Sequence, residues 1–281
     1  VASYGKTRLG IALTATGGEA ALVRLRGKRR KPKLLASAQS DVALGRFEAG
    51  DPDVFASVFK ELAKGLPNDV RRADMPVFVS LPDALVREDV LQFADFPQDV
   101  IEAQDLIRLR LLRDGDGALQ DPICTYQVIA RGDRVTVRTR SIERSLRDAV
   151  EAGARAGGLH ISRMDGWFGF ASAALDGVAD NGACVLSDGQ SWSLACWAPD
   201  TPEGFYESGW IDSSGDALGE RTTRLVQSFA LRHKTKALTL VAAAPTALLP
   251  QLSSDIFGKT IDGTEVLAAA PTPAQGVAQW G

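Results

Sequence analysis

The feature that most limits the folds open to this 281-residue chain is that one order of hydrophobic patterns occurs in it twice. The first copy opens with Leu9–Thr16 (LGIALTAT), a largely apolar strand-like run closed by Gly17-Gly18. Ala20–Arg26 then alternates, and Leu34–Val42 resumes a strand pattern after the basic run RGKRRKPK (Arg26–Lys33). Glycine pairs punctuate strands, so these runs read as a β-meander with a basic tip. Pro52–Leu66 follows as a helix, with Phe55, Val58, Phe59, Leu62 and Leu66 at helical spacing, Asp51 as N-cap and Pro52 in the first turn. Met75–Leu81 is the next strand, stopped by Pro82. The second copy runs through strands Ala183–Leu186, Trp192–Trp197 and Phe205–Ile211, a helix at Ala217–His233, and a strand at Ala237–Ala244. That last run is continuously apolar, as a parallel strand buried on both faces must be. Another helix starts at Pro245–Leu252. No sequence repeat relates the copies; the likeness lies in the order of elements alone.

Between the copies lies a unit with a different order. It starts with a strand at Val90–Phe96 and an amphipathic helix at Gln98–Arg113, polar through Arg108, Arg110 and Arg113 and stopped by Asp114-Gly115-Asp116-Gly117. Strands Ile123–Ala130 and Arg134–Ser141 follow, joined by Arg131-Gly132-Asp133. The second alternates, so one of its faces meets solvent. Ile142–Ala156 reads as a helix capped by Ser141 and closed by Gly157-Gly158, before a strand at Leu159–Met164 and a helix at Trp167–Leu175. The end, Ala268–Gly281, is rich in Ala, Pro, Gly and Gln and reads as a tail or linker. The expected domains are a first lobe of residues 1–89 and 142–180, an inserted subdomain 90–141, a second lobe 181–267 and a tail 268–281.

Several functions are disfavoured. Apolar residues make up 45% and charged residues 24%, with a net charge of −3, which is a folded composition with no overall pull toward nucleic acid or anionic membrane. The basic run lacks interleaved aromatics, so it reads as a solvated hairpin tip, or as a peripheral contact with anionic lipid or an acidic partner, rather than as a base-stacking surface. Cys124, Cys184 and Cys196 form no C-x-x-C pair and read as buried thiols in a reducing compartment. No run of about 18 apolar residues predicts a membrane span, and Val1–Lys6 leads directly into a strand, without a signal-peptide pattern. His160 and His233 have no nucleophile placed beside them by sequence, and there is no G-x-S-x-G, P-loop or G-x-G-x-x-G. The DGDG run lacks the closing Glu of a calcium loop and reads as a turn. Trp167, Trp192, Trp197 and Trp210 read as core; Trp280 lies in the tail, as a partner anchor or a loose residue.

The segment VFVSLPDALVREDVLQFADFPQDVIEAQDLIRLRLLRD resembles the PilM and GspL group, with the MshI proteins alongside. In that group a Pro-containing turn joins two strands, and a helix begins at a pair like Phe96-Pro97. Residues Arg138–Leu175 resemble it too, with a helix ending in Ala156-Gly157-Gly158-Leu159 before a strand and an Ala-rich helix. The likeness covers most of Leu9–Leu252. It implies an α/β actin-like (ribonuclease H-like, duplicated) fold of two lobes, with a small α+β insert in the first.

The same resemblance implies where Mg²⁺–ATP sits in active members. Their first phosphate loop is similar to G-I-D-I-G, and the match here is Gly10-Ile11-Ala12-Leu13-Thr14. Ala12 has no ligand oxygen, and Thr14 replaces a glycine that lets backbone approach phosphate. The second loop, D-x-G, matches Leu186-Ser187-Asp188-Gly189, with Ser187 at the Asp position and Asp188 one residue off, toward the other strand face. The adenosine motif matches Val241–Pro245, where Ala243 and Ala244 stand for two glycines. A triphosphate needs positive charge, backbone amides and Mg²⁺ together, so the expectation is a pseudo-ATPase with no cofactor and no metal. The implied role is a non-catalytic cytoplasmic platform protein of a type IV pilus or type II secretion system, at the inner face of the bacterial inner membrane. Its implied partners are a PilN-like or GspL/GspM-like membrane protein, the assembly ATPase, or both. Phe93, Phe96, Arg108, Arg110 and Arg113 are the candidate contacts. Their plainer reading is core for the phenylalanines and a solvated helix face for the arginines. The alternative functions are a divergent actin-like ATPase and a self-assembling envelope scaffold.

Overall fold

The computed structural model describes residues 7–25, 32–46, 51–68, 75–114, 119–175, 180–187, 189–198, 201–211, 215–235, 238–243, 250, 257–262 and 273–280. The elements of the first half are β1 (Thr7–Thr14), β2 (Gly17–Arg24), β3 (Lys33–Ser40), α1 (Pro52–Gly65), β4 (Val77–Leu81), β5 (Arg87–Phe93), α2 (Val100–Asp114), β6 (Pro122–Arg131), β7 (Val135–Glu143) and α3 (Arg144–Ala156). They continue with β8 (Ile161–Gly166), α4 (Trp167–Leu175), β9 (Gly182–Ser187), β10 (Ser191–Ala198), β11 (Thr201–Trp210), α5 (Gly215–Arg232), β12 (Leu238–Ala243), β13 (Phe257–Asp262) and α6 (Pro273–Trp280). They form two compact units: Val1–Pro82 with Ser145–Asp176 and Thr264–Gly281, and Asp83–Arg144 with Gly177–Gly263.

The first unit is built on a sheet of order β3-β2-β1-β4-β8. β1 to β3 are antiparallel, and β4 lies parallel to β1 and β8. β4 is buried along its whole length, as its run VFVSL requires. On one face α1 buries Phe55, Val58, Phe59 and Leu62; Asp51 caps it by accepting the Asp53 N–H at 2.9 Å. α3 lies against α1 so closely that a Cβ at Gly153 would come within 2.8 Å of the Phe55 carbonyl carbon. The other face meets α4 and α6: Phe78 packs with Phe170 and Val277, and Ala12, Ala21 and Val23 with Ala274 and Ala278.

The second unit repeats the topology. Its sheet has the order β11-β10-β9-β12-β13, with an antiparallel meander followed by two parallel strands, and α5 packs Val226, Phe229 and Ala230 over β10 and β12. This unit also contains the three-stranded sheet β5-β7-β6, covered by α2.

The structure departs from the sequence reading in four places. The tail is instead α6, which buries Ala274, Val277 and Ala278 against β1, β2 and α4. Ser141 is no cap: β7 runs straight into α3, leaving Ser141 buried inside the strand. β5 starts three residues earlier than Val90, because the charged residues 87–89 pair across to β7. β13 was not expected. The insert falls in the chain between two stretches of the first unit, and residues 83–144 share a unit with 177–263. β11 contacts β5 and β6, and the Ser208 hydroxyl donates to the Asp83 carbonyl at 2.9 Å. The expected helix at Pro245–Leu252, the DGDG run, and positions 26–31 of the basic tip fall almost entirely outside the described residues.

Candidate functional site

Thr14 and Gly17 pair across the first hairpin, so its tip is a two-residue turn, Ala15-Thr16. The Thr14 hydroxyl donates back to the Gly17 carbonyl at 3.4 Å, and the Ala15 carbonyl accepts the N–H groups of Leu44 and Gly45, each at 2.9 Å. Ala12 points into the apolar cluster beneath α6, beside Ala274 and Ala278. Gly10 lies two residues back on the same face; a Cβ there would collide with the Ala274 carbonyl oxygen and the Ala278 amide nitrogen. Gly10 is therefore required by the helix that lies on it.

In the second unit the Ser187 hydroxyl donates to the Ser191 carbonyl at 2.8 Å and accepts the Gly189 N–H at 3.0 Å. Gly189 has φ +88°, the left-handed geometry this turn needs. Ser187 thus closes the β9–β10 turn. Parallel pairing sets Ala243 beside Leu186, so the second and third motif positions adjoin at the ends of neighbouring strands. Asp188 and Ala244 lie outside the described residues. The residues seen at the motif positions do not fit a metal–triphosphate: they offer alkyl groups and hydroxyls already bonded within their own turns. Among the described residues, no group of three or more His, Cys, Asp or Glu is placed to hold a metal.

The partner candidates are dispersed. Phe93 and Phe96 are buried, with ring centroids 5.1 Å apart, and pack with Ala103, Ile107, Leu111, Cys124 and Val137. Both are buried there and hold α2 on its sheet, which is a core role. Arg108 donates through Nη2 to Asp121 at 2.7 Å, and Arg144 donates to the other oxygen of the same carboxylate at 2.8 Å. Burial pulls the Asp121 carboxyl upward, but the Arg144 hydrogen bond and both guanidinium charges outweigh it and leave the carboxyl below its ordinary value. Arg108 therefore ties α2 to the start of β6. Arg110 is half-buried and Arg113 exposed on the same helix. His160 is exposed, and His233 stacks 4.6 Å from the Phe229 ring.

Sequence reading missed a polar network in the second unit. Glu88, whose side chain is 9% exposed, accepts from Arg140 Nε at 2.9 Å and lies 3.3 Å from Arg138 Nε. The Arg140 guanidinium lies 5.9 Å from the centroid of the Tyr206 ring. Burial drives the Tyr206 hydroxyl well above its ordinary pKa, against the pull of the Arg140 charge. The signal was present as opposite charges on paired strands, since Glu88 and Arg140 are direct register partners, but β5 was expected to begin after them.

Neither a protein-family model nor a curated protein sequence matches this chain. Solved structures do. Over 97% of its length the chain is similar to a structure described as the PilM-PilN type IV pilus biogenesis complex, covering 97% of that chain at 15% identity and TM-score 0.67. It is similar over 97% of its length to the cytoplasmic domain of EpsL, an inner membrane component of the type II secretion system of Vibrio cholerae, covering 93% of that chain at 14% identity and TM-score 0.58. A Bacteroides thetaiotaomicron protein with an actin-like ATPase fold and unknown function is similar over 94% of the chain and 95% of its own, at 9% identity and TM-score 0.52. At these identities the likeness is one of fold, and the chain has the actin-like ATPase fold.

Proposed function

We propose that this chain is a non-catalytic platform protein of a type IV pilus or type II secretion system, docking a PilN-like or GspL/GspM-like membrane partner, and the assembly ATPase, at the inner face of the bacterial inner membrane. Similarity along nearly the whole chain to proteins described with those machines supports the class. The observation that carries the absence of catalysis is Ala12. In ATP-binding members that position supplies the metal-organising carboxylate; here it is a methyl group in an apolar cluster closed by α6. A carboxylate placed there would be stripped of water among apolar side chains. No helix among the described residues is long and apolar enough to cross a membrane.

In-cell photocrosslinking from exposed positions of the second unit, read by mass spectrometry, tests the role. The expected product is an inner-membrane pilus or secretion platform protein, recovered equally with and without ATP depletion. Crosslinks confined to other processes, or lost on ATP depletion, contradict the proposal.

A further inference from the structure

α2 is apolar on two sides. Its inner face, Ala103, Ile107 and Leu111, is buried on the small sheet. Its outer face carries Ile101 at 70% exposure, Leu109 at 66% and Leu112 at 42%. On a helix these three fall in one stripe, about 80° wide, with Asp105 among them. A single exposed leucine needs no explanation, but a stripe along a whole helix marks a contact surface.

Charge decides what covers it. Glu102 and Asp105 lie in the N-terminal half of α2, and Arg108, Arg110 and Arg113 in the C-terminal half. With Arg108 paired to Asp121, two acids stand against two arginines, so a uniformly acidic or basic partner, or an anionic lipid surface, gains little net attraction. A surface acidic at one end and basic at the other is complementary to itself turned end for end. We infer that the outer face of α2 is a two-fold contact with a second copy of this chain, with the two helices antiparallel. With the axis between Leu106 and Ile107, Ile101 meets the partner's Leu112 and Asp105 meets the partner's Arg108. The two-fold makes each of these contacts twice, as an isologous interface requires. Arg108 holds Asp121 through Nη2. This pairing does not depend on the platform role.

A helix of 15 residues is about 22 Å long and about 10 Å wide, so one face covers roughly 220 Å², well short of the roughly 800 Å² per partner of a standard stable interface, and the pairing is weak and concentration-dependent. Sedimentation velocity of the whole chain from about 10 µM to about 1 mM, a range suited to such a small interface, tests it. The expected result is a sedimentation coefficient rising toward that of a dimer. Leu109→Lys should abolish the rise, and Asp105→Arg should weaken pairing about tenfold, the loss of one charge contact at each end. Leu231→Lys, at an exposed leucine on α5, should behave as the parent chain. Circular dichroism and melting of Leu109→Lys should be unchanged, because the side chain it replaces is exposed. A monomer throughout the range, or a dimer indifferent to Leu109→Lys, overturns the inference. So does a monomer that sediments with phosphatidylserine vesicles and loses that binding in Leu109→Lys, which would make the stripe a lipid contact.

Discussion

Gly158 and Lys234 occupy equivalent positions just beyond two helices. After α3 the Gly158 N–H bonds the Arg155 carbonyl and the Leu159 N–H the Ala154 carbonyl; after α5 the Lys234 and Thr235 N–H groups bond the carbonyls of Leu231 and Ala230. Both are Schellman ends, and both need a left-handed residue, with φ 78° at Gly158 and 51° at Lys234. Only the first has the residue without a Cβ. Gly158→Ala should therefore cost about 1–2 kcal/mol, and Lys234→Gly should add about 0.5–1 kcal/mol, in urea unfolding. The three thiols allow a second prediction. Cys184 pairs with Ala195 and Cys196 with Ala183, so the two cysteines face opposite sides of the sheet and cannot bridge. Burial raises all three thiols, Cys196 to about 12. An unfolded thiol ionises near about 8.5, so above that pH the unfolded state loses protons that the folded state keeps, and stability falls as pH rises. Ellman's reagent at pH 8 should find no rapidly reacting thiol until denaturant is added; fast native reaction would contradict the burial.

Among the elements, α6 shows best what patterning hides. A helix whose inward residues are Ala274, Val277 and Ala278 has too little apolar bulk to announce a core helix in a Pro- and Gly-containing stretch. Its fit is written at the other end of the chain, in Gly10 and Ala12, and no local window contains both. Elements whose signal is local were legible. The Asp51 cap and the spacing of Phe55, Val58, Phe59 and Leu62 fixed α1, and ALTLVAAA fixed a buried parallel strand. Phe93 and Phe96 could be recognised as apolar but not assigned to core or surface, because that depends on which face α2 covers. The close seat of α6 gives a third prediction. Gly10→Ala should cost about 1–3 kcal/mol by overpacking. Ala12→Asp should cost about 3 kcal/mol by burying an unpaired carboxylate, without creating nucleotide affinity. Proteolysis and hydrogen exchange at residues 273–280 should report undocking of the helix in both variants. Unchanged protection there would mean that α6 does not rest on β1.

At the scale of the molecule, the doubled order of elements was the strongest message in the chain, and the two five-stranded sheets share one topology. What the order could not say is what the insert packs against. Residues 83–144 join the second-half residues through the contacts of β11 and the Ser208–Asp83 bond, made 125 residues apart in sequence. We propose that this actin-like fold works without nucleotide chemistry, a reading supported by the first-hairpin face packed under a helix and by the second hairpin bonding its own serine. Isothermal titration of the chain with ATP and Mg²⁺ tests this most directly. The account predicts no heat of binding at millimolar nucleotide and a melting temperature unmoved by it. Saturable, magnesium-dependent binding in the micromolar range would contradict it.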